Sequence, residues 1–275
     1  MKKFLSLTRA SMSAMFAQSQ SGGKSKKASY KFRTLILYAF LVIYFGAMSG
    51  FFSYVMYQSL SAIGMQKLIP MLVVFAATLL TLISSVFTSG GYLYRAKDLQ
   101  LLLALPVSKL TILCSKFFGL YLSNLTVAAL LCLPSGIVYL VLDGGSVTGY
   151  ISLTIVTLSL PLLPIVIGCI ISYFIGLATR GMKHKNVVTT VISVVFFIGV
   201  MLLSQNSESI FEYIENNGAT ISESLSKWYL PAGLAANAIS GVLIDLLWFV
   251  LINIIPCAIV LPLISIRYFS LVEAY

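Results

Sequence analysis

The sequence predicts an all-α, polytopic membrane protein with six transmembrane helices. Of its 275 residues 59% are hydrophobic and only 9% are charged, whereas soluble domains carry about 25% charged residues. The apolar residues also fall into six runs, each close to the roughly 20 residues that cross a bilayer. The predicted spans are 34–58, 68–93, 117–142, 150–178, 187–204 and 242–266. Prolines within several runs indicate that not all six helices are straight.

The chain divides into two predicted parts, residues 1–33 and the transmembrane domain 34–275. Near the amino terminus, apolar residues at helical spacing alternate with basic ones, which is typical of an amphipathic helix on the inner membrane surface; a disordered basic tail is the alternative. The apolar residues are Phe4, Leu5, Met12, Met15 and Phe16, and the basic ones are Lys2, Lys3 and Arg9. Residues 18–27 are typical of a flexible linker.

The distribution of basic residues predicts the orientation. Sixteen of the eighteen lie before span 1, between spans 2 and 3, between spans 4 and 5, or after span 6, and only Lys67 and Lys227 lie on the other side. The positive-inside rule therefore places both termini in the cytoplasm of a multi-pass protein of the cell membrane. Because the net charge of +10 is held in short segments between spans, we expect membrane lipid and no nucleic acid as a partner.

The longest predicted outer loop, residues 205–241, has the pattern of two short amphipathic helices. The apolar residues at helical spacing are Ile210, Phe211 and Ile214, then Ile221, Leu225 and Trp228. Trp228 and Tyr229 suit the headgroup level, and Pro231 with Gly233 predicts a break before span 6. In span 1, Gly46 and Gly50 form a small-xxx-small pair that permits a close helix approach.

The chain lacks the residues of several functional classes. It has one histidine, His184, and none of the metalloprotease or serine hydrolase motifs. Asp245, near the end of span 6, is the one acid in a predicted span, and no charge lies near a span centre, which argues against coupling to an ion gradient. Gly23-Lys24-Ser25 ends like a phosphate-binding loop, but Gln18 stands where the loop needs glycine. No two of the four cysteines form a CxxC pair, so we expect them to be apolar packing residues rather than metal ligands.

The segment between spans 2 and 3 predicts a short cytoplasmic helix over residues 96–105. Leu99, Leu102 and Leu103 form one stripe, flanked by Leu101 and Leu105. Lys97 and Asp98 lie at its start, where the carboxylate favours a helix N-terminus. Pro106 ends it and Ser108 can cap a second helix, whose beginning Lys109 and Lys116 are expected to hold at the cytoplasmic surface. Such a helix rests on lipid or docks a partner protein; physical reasoning alone leaves both open.

Residues 96–125 resemble the segment after the second span in permeases of the type-2 ABC exporter family. The matching positions are Lys97, Asp98, Leu101, Leu102, Leu105, Pro106, Ser108 and Lys116. The six spans, the inner termini, and the stretch from Trp228 to Ala235 are also similar. The resemblance implies that residues 96–105 are a coupling helix docking an ABC ATP-binding subunit through Lys97, Asp98, Leu99, Leu101, Leu102, Leu103, Leu105 and Pro106.

The resemblance further implies that this chain is not an enzyme and needs no cofactor, because ATP and Mg²⁺ belong to the partner subunit. It implies a second six-span half, supplied by a homodimer, a heterodimer or a missing carboxy-terminal half. The expected function is outward transport of an amphiphilic peptide, lipid or drug-like molecule. An ATP-independent channel and a non-transporting scaffold or sensor subunit are the alternatives.

Overall fold

The computed structural model describes residues 27–89, 109–178 and 207–266. Within these ranges the chain forms eight helices and no strand. The helices are α1 (Lys27–Ser61), α2 (Leu68–Ser89), α3 (Lys109–Leu142), α4 (Val147–Ser159), α5 (Leu162–Ala178), α6 (Ser207–Trp228), α7 (Leu230–Ile239) and α8 (Leu243–Ile266).

Five helical segments of this part of the chain are long and apolar enough to cross a membrane. They are Ala39–Ser61, Leu68–Ser89, Thr111–Leu142, Val147–Phe174 and Leu243–Ile264. They match predicted spans 1, 2, 3, 4 and 6, so the prediction of an all-helical, multi-pass membrane protein is confirmed. Predicted span 5 at 187–204, the amphipathic helix before residue 17 and the coupling helix at 96–105 lie outside the described residues.

The fourth span is broken near its middle. α4 ends at Ser159, α5 begins at Leu162, and Leu160 and Pro161 form a turn between them. Pro161 has no N–H to continue the hydrogen-bond ladder, and its ring crowds the carbonyl four residues earlier. Pro164 is tolerated because it falls in the first turn of α5, where N–H groups have no intrahelical partner. The one span predicted over 150–178 is therefore two helices.

The segment before α8 differs from the prediction. α6 is kinked at Asn217 (φ −121°, ψ 19°), which agrees with two short helices. The expected break at Pro231 and Gly233 is wrong: Pro231 lies in the first turn of α7, a position that proline favours because its fixed φ suits a helix start. α7 is buried rather than superficial, since Ala232, Ala235 and Ile239 pack among α2, α4 and α8.

The core follows α3 from one end of the bundle to the other. Leu113, Phe117 and Leu120 pack with α5, Ala128 and Cys132 with α2, α4, α7 and α8, and Tyr139 with Leu140 at the far end. α3 is thus the helix around which the other spans are arranged.

A row of hydroxyl groups joins α1 to α3. Ser49 donates to the Leu131 carbonyl at 2.8 Å, Ser53 to the Ser135 carbonyl at 3.0 Å, and Tyr57 to the Leu142 carbonyl at 3.0 Å. We call these three bonds the hydroxyl row. The predicted glycine pair lies on the same side of α1: a Cβ at Gly46 would be 3.5 Å from Pro134 Cγ, and one at Gly50 3.5 Å from Val138 Cγ2. The glycine pair therefore faces α3, as the small-xxx-small pattern predicts, and both distances are ordinary contacts that leave room for a Cβ.

Candidate functional site

The predicted docking residues, from Lys97 to Pro106, fall in the interval 90–108, outside the described residues. The interval joins α2 to α3, and these two helices pack against each other.

Lys116 is not at the surface, and the prediction that it would be is wrong. α3 begins at Lys109, and Lys116 lies about two turns inside it with 2% of its surface exposed. It shares a face of the helix with Leu120 and Asn124, which are both fully buried. An ionisable side chain buried within a span is costly and marks a functional region by default.

Two further polar side chains, Tyr121 and Asn124, lie on α3 after Lys116. The Asn124 amide nitrogen donates to the Leu120 carbonyl at 3.0 Å, whereas its buried Oδ1 atom has no hydrogen-bond donor among the described residues. The Tyr121 hydroxyl donates to the Leu158 carbonyl at 2.8 Å. Leu158 lies in the last turn of α4, so Tyr121 supplies a donor to a carbonyl that the break at Pro161 deprives of its helical partner.

We use the name break site for the polar positions of α3, Lys116, Tyr121 and Asn124, together with the turn at Leu160 and Pro161, of which Tyr121 is the residue bonded to the end of α4. Leu160 keeps helical φ and ψ (−51° and −44°), so the interruption is a local loss of helical hydrogen bonds at Pro161 within one membrane span. The second side of the break is secured by α2, where Ser85 donates to the Pro164 carbonyl at 3.1 Å.

A cavity of about 300 Å³ opens beside the start of α5. It is lined by Leu162 together with Cys114 of α3 and Ile254, Cys257 and Leu261 of α8. Its lining is apolar except for the two thiols, so it suits an apolar group rather than an ion. Within the described ranges no three His, Cys, Asp or Glu side chains are grouped to hold a metal ion, and the four cysteines form no disulfide.

Comparison with known proteins gives no match to any protein-family model, curated protein sequence or solved structure. The fold defines the class: a multi-pass α-helical membrane protein, in which one span of the described part of the chain is interrupted at Leu160 and Pro161.

Sequence reasoning missed the break site because its polar residues are spread along an apolar helix. The one signal that could have shown it is the four-residue spacing of Lys116, Leu120 and Asn124, which places all three on one face. The prolines in the fourth span were visible, but only the structure shows that Pro161 interrupts the helix while Pro164 does not.

Proposed function

We propose that this chain is the transmembrane permease subunit of an ATP-driven exporter of the type-2 ABC family. In this proposal it crosses the cell membrane six times, with both termini in the cytoplasm. The observation that carries the proposal is the sequence motif in residues 96–125, in which a predicted leucine-striped helix is followed by Pro106 and then by the basic residues that precede span 3. The helical, multi-pass fold supports it, because the motif then lies between two spans that pack together.

The proposed mechanism runs through α3. An ATP-binding subunit docks on residues 96–105, and its ATP-driven closure moves this connection. α3 follows because it is continuous from Lys109 to Leu142. Tyr121 then transmits the movement to α4 through its bond to the Leu158 carbonyl, and the break at Pro161 lets α4 and α5 move separately.

The substrate path in this proposal includes the break site. The buried Lys116 and the Asn124 Oδ1 atom offer polar contacts, and the cavity beside Leu162 accepts an apolar group. A path that passes both the polar positions of α3 and this apolar cavity would suit an amphiphilic peptide, lipid or drug-like molecule. A second six-span half completes the permease, and ATP with Mg²⁺ is bound by the partner subunit.

The test is ATPase activity that copurifies with the tagged full-length chain from its native membranes. We expect ATP hydrolysis in the wild-type preparation and its loss in L102D/L103D, because two carboxylates would replace the apolar docking stripe. Ile63→Asp is the matched control, since Ile63 is an exposed residue of leucine's size in the turn between α1 and α2, outside the predicted docking stripe. Both variants must reach the membrane at the wild-type level.

Two results would refute the docking proposal. One is a wild-type preparation without any ATP-binding chain, and the other is an L102D/L103D variant that retains the ATPase as well as the control does. ATP-independent flux through vesicles containing this chain alone would instead establish a channel.

A further inference from the structure

A second polar site lies at the end of the bundle where α1 ends and α2 begins. The turn between α1 and α2 faces the turn between α3 and α4 there, and Ser222 of α6 lines the space between them. The result is an open cleft of about 290 Å³, lined by residues 64–68, Tyr139, Asp143 and Ser222, in which Lys67 and Asp143 are exposed. We call it the turn pocket.

Asp143 is held in a fixed position in the turn pocket. The Tyr139 hydroxyl donates to its Oδ2 atom at 3.1 Å, and the Tyr57 hydroxyl lies 3.4 Å from Oδ1. Tyr139 is itself 1% exposed, and Tyr57 also bonds the Leu142 carbonyl at 3.0 Å. The Tyr139 hydroxyl thus orients the carboxylate, and the Tyr57 hydroxyl lies beside it.

Lys67 lines the same pocket from the other turn. It does not pair with Asp143: the one ion pair among the described residues joins Lys227 to Glu223 at 2.6 Å. The pocket therefore presents an ammonium and a carboxylate that are separated by the cavity rather than bonded to each other. The Gln66 amide and the Ser222 hydroxyl add neutral hydrogen-bonding groups.

Gly218 of α6 lies beside the turn pocket. A Cβ at this position would lie 2.9 Å from Met65 Sδ and 3.0 Å from Leu68 Cδ1, so a larger residue would require these two side chains to shift. With α6 in place, Ser222 faces α2, its hydroxyl 3.9 Å from Met71 Sδ. Gly218 thus lets the Met65 and Leu68 side chains pack directly against the α6 backbone beside the turn pocket.

From this arrangement we infer that the turn pocket binds a small zwitterionic group carrying a primary ammonium and an oxyanion. The ammonium bonds Asp143, and the oxyanion bonds Lys67, with Gln66 and Ser222 in reach of either. Phosphoethanolamine has this chemistry, both as a lipid headgroup and as a free molecule. The binding chemistry is independent of the proposed exporter function; only the location of the pocket on the outer face of the membrane rests on it.

The test measures binding of phosphatidylethanolamine and of soluble O-phosphoethanolamine to the purified full-length chain. Native mass spectrometry counts the bound lipid, and thermal stabilisation reports the soluble compound. Phosphatidylcholine, whose ammonium has no N–H donor, and phosphatidylglycerol, which has no ammonium, are the ligand controls. We expect Asp143→Asn and Lys67→Gln each to weaken binding about tenfold or more, the usual effect of losing one charge-assisted hydrogen bond.

Lys227→Gln is the matched protein control, because Lys227 is an exposed lysine of α6 paired with Glu223. Binding of the lipid alone identifies the headgroup as the ligand, and binding of both probes identifies a site open to the free molecule. Binding of neither probe overturns the inference, as does equal binding of phosphatidylglycerol or binding unchanged in both pocket variants. If Asp143→Asn does not fold, Lys67→Gln decides, since Lys67 forms no ion pair that the fold would lose.

Discussion

Replacing Gly168 by alanine tests how tightly α5 packs on α2. A Cβ at residue 168 would collide with Ser85 Oγ, lie 2.8 Å from Ser85 Cβ and lie 3.1 Å from the Val86 backbone nitrogen. Because one obstacle is backbone, rotation of the Ser85 side chain cannot relieve the overlap. Overpacking of this kind costs about 1–3 kcal/mol, and we place Gly168→Ala near the upper value. The better helix propensity of alanine offsets about 1 kcal/mol, which leaves a net loss of about 2 kcal/mol.

Gly46→Ala is the matched control. Its new Cβ would lie 3.5 Å from Pro134 Cγ, an ordinary contact distance. We therefore expect its free energy of unfolding to equal or exceed that of the wild type. The assay is unfolding by sodium dodecyl sulfate in mixed micelles, followed by reaction of the buried thiols of Cys132 and Cys169, which are 1% and 2% exposed.

A second substitution sharpens the test. Ser85→Gly removes the two nearest obstacles, so G168A/S85G should be more stable than the sum of the single effects by at least about 1 kcal/mol. Ser85→Gly alone is destabilising, because it loses the bond to the Pro164 carbonyl. The reasoning is refuted if Gly168→Ala is as stable as Gly46→Ala, or if the two changes are additive.

Two further predictions concern Tyr121 and Tyr229. Tyr121→Phe leaves the Leu158 carbonyl without its 2.8 Å donor and should lower the free energy of unfolding by about 0.5–1.5 kcal/mol; an equal effect of Tyr150→Phe, on the exposed face of α4, would contradict this. Burial raises the pKa of the Tyr229 hydroxyl, against the smaller lowering effect of its bond to Thr78, so folding favours the neutral form. The stability that comes from burying the neutral hydroxyl is fully present below the ordinary tyrosine pKa of about 10 and is lost as the pH rises through the raised pKa of Tyr229. Because Tyr229→Phe has no hydroxyl to ionise, its free energy of unfolding should fall less than that of the wild type on alkaline titration.

The span positions could be predicted from the sequence because hydropathy over about 20 residues is a property of the segment itself. α8, for example, extends over Leu243–Ile266 where the prediction places 242–266. α7 escaped prediction for a different reason. Proline and glycine usually end a helix, but Pro231 and Gly233 lie in the first turn of α7. With Ala232, Ala235 and Ala236 they form a helix of small residues that other helices enclose. Only the neighbours of such a helix determine whether it forms.

The polar sites could not be predicted because their residues come from distant parts of the chain. Lys67 and Asp143 each lie in an ordinary short turn, and nothing local indicates that the two turns face one cavity. The prediction that Lys116 lies at the surface failed for a related reason. A lysine at the edge of an apolar run usually reaches the interface, but Lys116 is buried because α3 packs among neighbouring helices.

The hydroxyl row makes α1 and α3 differ in the amino-acid substitutions that each tolerates. Every acceptor in it is a main-chain carbonyl, at Leu131, Ser135 and Leu142, and every residue type supplies such a group. The donors are side chains, so Ser49, Ser53 and Tyr57 lose the bond when any residue without a donor replaces them. Over evolutionary time the attachment between α1 and α3 therefore restricts the residues of α1 and leaves their acceptor positions on α3 open to substitution.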